Sequence, residues 1–95
     1  MILSIDLSGF QFLRFSRAGF QELVIGIDKL PCIRSVCLKN NGISEIHDKE
    51  VLALMSISKI KSLDLSNNNI GPKLAGQIGK VLRDSAFHFS WIDLT

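Results

Sequence analysis

Few groups in this sequence have the type or spacing to do chemistry. Those that stand out are three aspartates (Asp6, Asp64 and Asp93), two cysteines (Cys32 and Cys37) and two histidines (His47 and His88). The Cys-x4-Cys spacing matches no common metal site. A reactive thiolate needs positive charge beside it, and aspartates near Cys37 would do the opposite. Neither histidine stands at a spacing that pairs it with a serine, a cysteine or a metal ligand, so both read as surface residues. No nucleophile elbow or phosphate-binding loop appears, because Gly71, Gly76 and Gly79 lie in a helical segment without dinucleotide spacing. The sequence thus predicts no enzyme, no catalytic residue, no metal and no cofactor. What remains for the carboxylates is binding, by charge-assisted hydrogen bonds to a basic side chain. A calcium site needs about six oxygen ligands or more, and three carboxylates supply too few.

Whether these groups act together depends on the elements that carry them. The stretch Ile60-Lys61-Ser62-Leu63-Asp64-Leu65-Ser66-Asn67-Asn68-Asn69-Ile70 has apolar residues at its first, fourth, sixth and eleventh places and Asn68 at its ninth. Ile33, Val36, Leu38 and Ile43 repeat the pattern with Asn41. Ile2, Ile5, Leu7 and Phe12 repeat it with Phe10 in the asparagine place, and Phe89, Ile92 and Leu94 begin it again. The copies start at 2, 33, 60 and 89, a spacing of 31, 27 and 29 residues. Alternate apolar residues in each copy have the period of a strand, which predicts strands at 3–8, 34–39, 61–66 and 90–94. An asparagine just past the strand can bond the main chain of its own turn and of the next copy, so Asn41 and Asn68 form a structural ladder.

Between the strands the pattern changes to that of helices, expected at 17–29, 48–57 and 73–84. Ser16 and Asp48 suit N-caps and Pro72 a first helical position. Phe20, Leu23, Val24 and Ile27, then Val51, Leu54 and Met55, then Leu74, Ile78, Val81 and Leu82 form inward stripes. These stripes are core. Leu30-Pro31 ends the first helix.

The pattern L-x-x-L-x-L-x-x-N-x-L resembles the leucine-rich-repeat family, and copies of this length with a helical second half resemble its ribonuclease-inhibitor-like subfamily. The resemblance covers essentially the whole chain. It implies one α/β domain over residues 1–95, a right-handed solenoid of about 3.5 repeats (about 2–32, 33–59, 60–88 and a partial 89–95). Parallel strands would line its concave face and helices its convex face. It also implies a protein–protein interaction module that binds through the concave face.

In that register the positions between buried strand residues share one face: Ser4, Asp6 and Ser8; Ser35, Cys37 and Lys39; Ser62, Asp64 and Ser66; Trp91, Asp93 and Thr95. The middle column reads Asp6, Cys37, Asp64, Asp93. Asp64 and Asp93 repel, and a partner's Lys or Arg between them removes that cost. The expected protein-binding residues are therefore Asp6, Ser35, Cys37, Lys39, Ser62, Asp64, Ser66, Trp91 and Asp93. The competing reading makes the column a solvated strand face.

The composition narrows the partner. With 46% hydrophobic and 21% charged residues the chain is globular rather than disordered. A net charge of +2 without a basic run argues against nucleic acid. No apolar run reaches the roughly 20 residues of a membrane span, and the N-terminus lacks a basic lead-in for a signal peptide. Two cysteines without a disulfide framework point to a reducing, cytoplasmic setting. The two ends carry no polar cap. Three readings of the ends stand open: a fragment of a longer array, a subunit covered by partners in a larger complex, or end-to-end self-association. A structural subunit docked through its ends is the alternative function. A fragment of a Ran GTPase-activating protein, which has this repeat type, is the remote one, since no functional residue of that family is matched.

Overall fold

The alternating apolar residues fold as strands and the stripes between them as helices. The computed structural model describes residues 3–9, 17–84 and 91–93. Strands β1 (Leu3–Asp6), β2 (Ile33–Cys37), β3 (Ser62–Asp64) and β4 (Trp91–Asp93) form one parallel sheet in the order β1-β2-β3-β4. Parallel neighbours need a crossover connection. Helices α1 (Arg17–Asp28), α2 (Asp48–Met55) and α3 (Pro72–Asp84) supply the three crossovers. The chain is thus mixed α/β. The expected positions Ile2, Phe10, Phe12, Ser16, His88, Phe89, Leu94 and Thr95 lie outside the described residues.

The core lies between the sheet and the helices. Val36 and Leu63 enter it from the strands, Leu38, Ile43 and Leu65 from the turns, and Phe20, Val24, Ile27, Val51, Leu54, Met55, Leu74 and Ile78 from the helices. Each fully buried aliphatic side chain contributes roughly 1.5–3 kcal/mol relative to exposure. Leu23, Val81 and Leu82 sit half-buried against this core. At α2 the sequence reading needs a correction. Asp48 is not the cap but the first residue of the helix, and its Oδ1 accepts the Lys49 N–H at 2.8 Å. A short 3-10 turn over Glu45–His47 feeds the helix instead.

The first three strands stop two residues earlier than the pattern predicts, at Asp6, Cys37 and Asp64. The reason lies in the turns. Gly9, Asn40 and Asn67 stand at equivalent places and have φ of +74°, +59° and +57°. This left-handed conformation is open to glycine and tolerated by asparagine better than by other side chains. In each Asn-Asn pair the first residue therefore turns the chain and the second supplies the bonding amide.

Two side chains fasten neighbouring segments together. Lys59 Nζ donates to the carbonyl oxygens of Asp28 and Leu30 at 2.5 and 3.1 Å, where α1 leaves its last carbonyls unbonded. Glu45 Oε2 accepts the Leu74 N–H at 2.8 Å in the first turn of α3. A carboxylate there satisfies an orphan donor and meets the positive end of the helix dipole. Gly71 makes room for it, since a Cβ at that position would collide with Glu45 Oε1. We expect Gly71→Ala to displace Glu45 and to cost about 1 kcal/mol, the usual cost of a lost cap. In a Glu45→Ala background the same change should cost little, and a double-mutant cycle by urea unfolding reads the difference. Equal costs in both backgrounds would contradict this contact.

Candidate binding face

Sheet register brings the expected column together. Asp6 pairs with Cys37, Cys37 with Asp64, and Asp64 with Asp93. Beside it runs a second column, Ser4, Ser35, Ser62 and Trp91. The intervening Ile5, Val36, Leu63 and Ile92 turn toward the helices, with Val36 and Leu63 in the core. On the open face Ser4 and Asp6 are exposed, while Ser35, Cys37, Ser62, Asp64 and Asp93 are half-buried. Lys39 is exposed in the turn after β2. Trp91 is placed by its backbone alone, at the start of β4.

Ser66 departs from expectation. It is only 6% exposed and belongs to the turn, where the alternation of strand faces no longer holds. Its Oγ donates to Asp64 Oδ1 at 2.6 Å and its N–H to the same oxygen at 2.9 Å. The Ser8 N–H donates to Asp6 Oδ1 at 2.9 Å in the same way. An aspartate that accepts the N–H two residues on is a local turn former. The aspartates therefore have a structural task as well as a charge. Asp64 Oδ2 turns to the other neighbour and receives the Cys37 thiol at 3.8 Å.

These bonds shift two ionisations. The hydroxyl of Ser8, and then its N–H, holds the Asp6 carboxyl below its ordinary value of 3.8. Asp6 thus favours the fold above that range, and this small surface contribution fades as pH falls through its lowered value. Burial, with the negative charges of Asp64 and Asp6 added, pushes the Cys37 thiol above its ordinary 9.0. The sequence reading named the aspartates, and desolvation comes ahead of them. In a Cys32→Ser variant we expect the rate of Cys37 alkylation by iodoacetamide to be still rising at pH 9.0. A plateau reached near neutral pH would contradict the assignment.

Behind the face stands the asparagine ladder. Asn41 is fully buried and donates through Nδ2 to the Leu7 carbonyl at 2.8 Å and to Lys39 O at 3.4 Å. Asn68 is half-buried rather than buried. Its Nδ2 donates to the carbonyls of Leu38, Leu65 and Ser66 at 3.0, 2.8 and 3.3 Å. Its Oδ1 accepts the N–H groups of Asn41 and Ile43 at 2.9 and 3.0 Å. Each amide thus bonds its own turn, as expected, but it reaches to the preceding copy rather than the next.

His47 is the second correction. It is 2% exposed, not a surface residue. The Ser44 N–H donates to its Nδ1 at 3.1 Å, and its ring lies against Phe20 with centroids 5.6 Å apart. Nothing in the local pattern marked it, because its partners come from α1 and from a turn of irregular sequence. Glu45 and Gly71 were missed for a similar reason, since they meet only across 26 residues of chain.

No family model, curated protein or solved structure matches this chain. Its role must therefore be argued from its own residues. Among the described residues no cluster of three His, Cys, Asp or Glu side chains is placed to hold a metal ion. Among them, too, no helix is long and apolar enough to cross a membrane.

Proposed function

We propose that this chain is a leucine-rich-repeat solenoid of the ribonuclease-inhibitor-like type, and a protein-interaction module rather than an enzyme. In this reading it binds a basic segment of a partner protein on the sheet face away from the helices. The observation that carries the reading is the register of Asp64 against Asp93, in line with Asp6 and Cys37. Neighbouring strands lie about 4.8 Å apart, so two carboxylates on adjacent strands repel. A Lys or Arg between them relieves that repulsion and gains charge-assisted bonds. Asp64 is half-buried, which reduces solvent screening at the contact. Trp91 begins the strand that carries Asp93, and tryptophan is a residue type favoured at the centre of protein interfaces. The thiols of Cys32 and Cys37 are free, in keeping with a reducing cytoplasmic setting.

The test is a pair of charge-neutral variants. Asp64→Asn keeps an oxygen for Ser66 and removes the charge. Affinity for the partner co-purified with the full chain should fall by about 1–3 kcal/mol, and its salt dependence should flatten. Asp93→Asn should act in the same direction. Binding like the parent's by both variants at low salt would overturn the face as the site. It would favour a structural subunit docked through the ends of the sheet, a second reading suggested by β1 and β4, which lie at the two ends of the strand order.

A further inference from the structure

Asn41 is followed by Gly42. Asparagine-glycine is the dipeptide in which a side-chain amide is most open to attack by the next backbone nitrogen, because glycine has no side chain to hinder the approach. We infer that Asn41 is a site of spontaneous deamidation, held in check by the docking of β1 and its turn. The inference is independent of the proposed binding role.

The chemistry needs only water. Gly42 N, losing its proton to solvent, attacks Asn41 Cγ, so that an N–C bond forms. The Cγ–Nδ2 bond breaks, and ammonia leaves after taking a proton from solvent. Water then opens the cyclic imide at either carbonyl. The product is an ordinary aspartate in place of the asparagine, or an isoaspartyl linkage through the side-chain carbon. No oxidant or reductant takes part.

In the folded chain three features oppose this. Asn41 is fully buried, which keeps the hydrolysing water away. Its leaving group is clamped, since Nδ2 donates to Leu7 O and Lys39 O. Its own N–H is fixed on Asn68 Oδ1. One of the clamping carbonyls, Leu7 O, belongs to the turn after β1, whose Leu7 and Gly9 N–H groups also bond Cys37 O and Lys39 O at 2.8 and 2.9 Å. β1 lies at one end of the strand order with half-buried rather than buried apolar residues, so it can lift while the other three strands stay paired. Once it lifts, Asn41 Nδ2 loses the shorter of these two bonds. The product cannot take its place again, because a carboxylate oxygen where Nδ2 stood would face two carbonyl oxygens. Modification thus records past openings of the first strand. Asn68 is the internal control, since it occupies the equivalent turn but is followed by Asn69.

The full chain is incubated in warm, mildly alkaline buffer, with and without denaturing urea, and digests are read by mass spectrometry. Asn41 should convert in urea and be slowed about tenfold or more in the folded chain, while Asn68 stays an amide on the same timescale. Ile5→Ala, which weakens the seat of β1, should move the folded rate toward the urea rate. In the parent, urea below the unfolding transition should raise the rate before the core unfolds, and this measurement stands if Ile5→Ala does not fold. Conversion of Asn41 equally fast in folded and unfolded chain would overturn the proposal. So would a rate that follows only global unfolding.

Discussion

Asn68→Ala is expected to destabilise the fold by about 3 kcal/mol, near the upper end for one lost polar side chain. The cause is that one amide serves two sides. It supplies an acceptor to the N–H groups of Asn41 and Ile43, and both of those residues are fully buried. It also supplies donors to the carbonyls of Leu38 and Leu65 at 3.0 and 2.8 Å. Alanine provides neither. In a domain of this size the loss corresponds to a fall in melting temperature of roughly 12–24 °C. Thermal melts of the variant and the parent check this, and Asn68→Ala melting with the parent would refute the ladder.

Phe20→Ala should be at least as damaging, at about 3–5 kcal/mol. Phe20 is fully buried in α1, and its ring meets that of His47 with centroids 5.6 Å apart and planes tilted by 58°. Removing it opens a cavity between α1 and the 3-10 turn, and it takes away the aromatic neighbour of His47. Total stabilities of roughly 5–15 kcal/mol are typical of such domains, so this one change uses a large part of the margin. Phe20→Leu keeps most of the volume and should cost under about 1.5 kcal/mol. Urea unfolding distinguishes the two by midpoint, with a common slope if the unfolded states are alike. A small effect of Phe20→Ala would mean that the helix does not seat on this ring.

Which of these features could be read from the sequence depended on distance along the chain. The strands, the helices and the column Asp6, Cys37, Asp64, Asp93 follow from local periodicity plus the offset between copies. Leu38 and Leu65 pointed inward for the same reason. Ser66 was misplaced because the period of two was carried past Asp64, where the chain leaves the strand and the aspartate draws the serine back. His47 looked like a surface residue because polarity was read without its partners, Ser44 and Phe20. Asp48 looked like a cap because aspartate often is one. The turn instead tightened into a 3-10 segment one step earlier. What the asparagines would bond was legible in kind, since a buried amide must find both donors and acceptors. The direction of their reach was not, because self-similarity along a chain gives no sign to the stacking.

The carboxylate of Glu45 on the first turn of α3 has a consequence for cooperativity. The bond joins groups 29 residues apart, so the N-terminus of α3 is completed by a side chain from the segment before it. Fraying of the 3-10 turn withdraws the acceptor from Leu74, and the helix then loses its N-terminal anchor. Opening of the 3-10 turn and fraying of the first turn of α3 are therefore expected to be coupled. Amide hydrogen exchange at Leu74 becomes a gauge of order at Glu45, and Glu45→Gln should keep that protection better than Glu45→Ala.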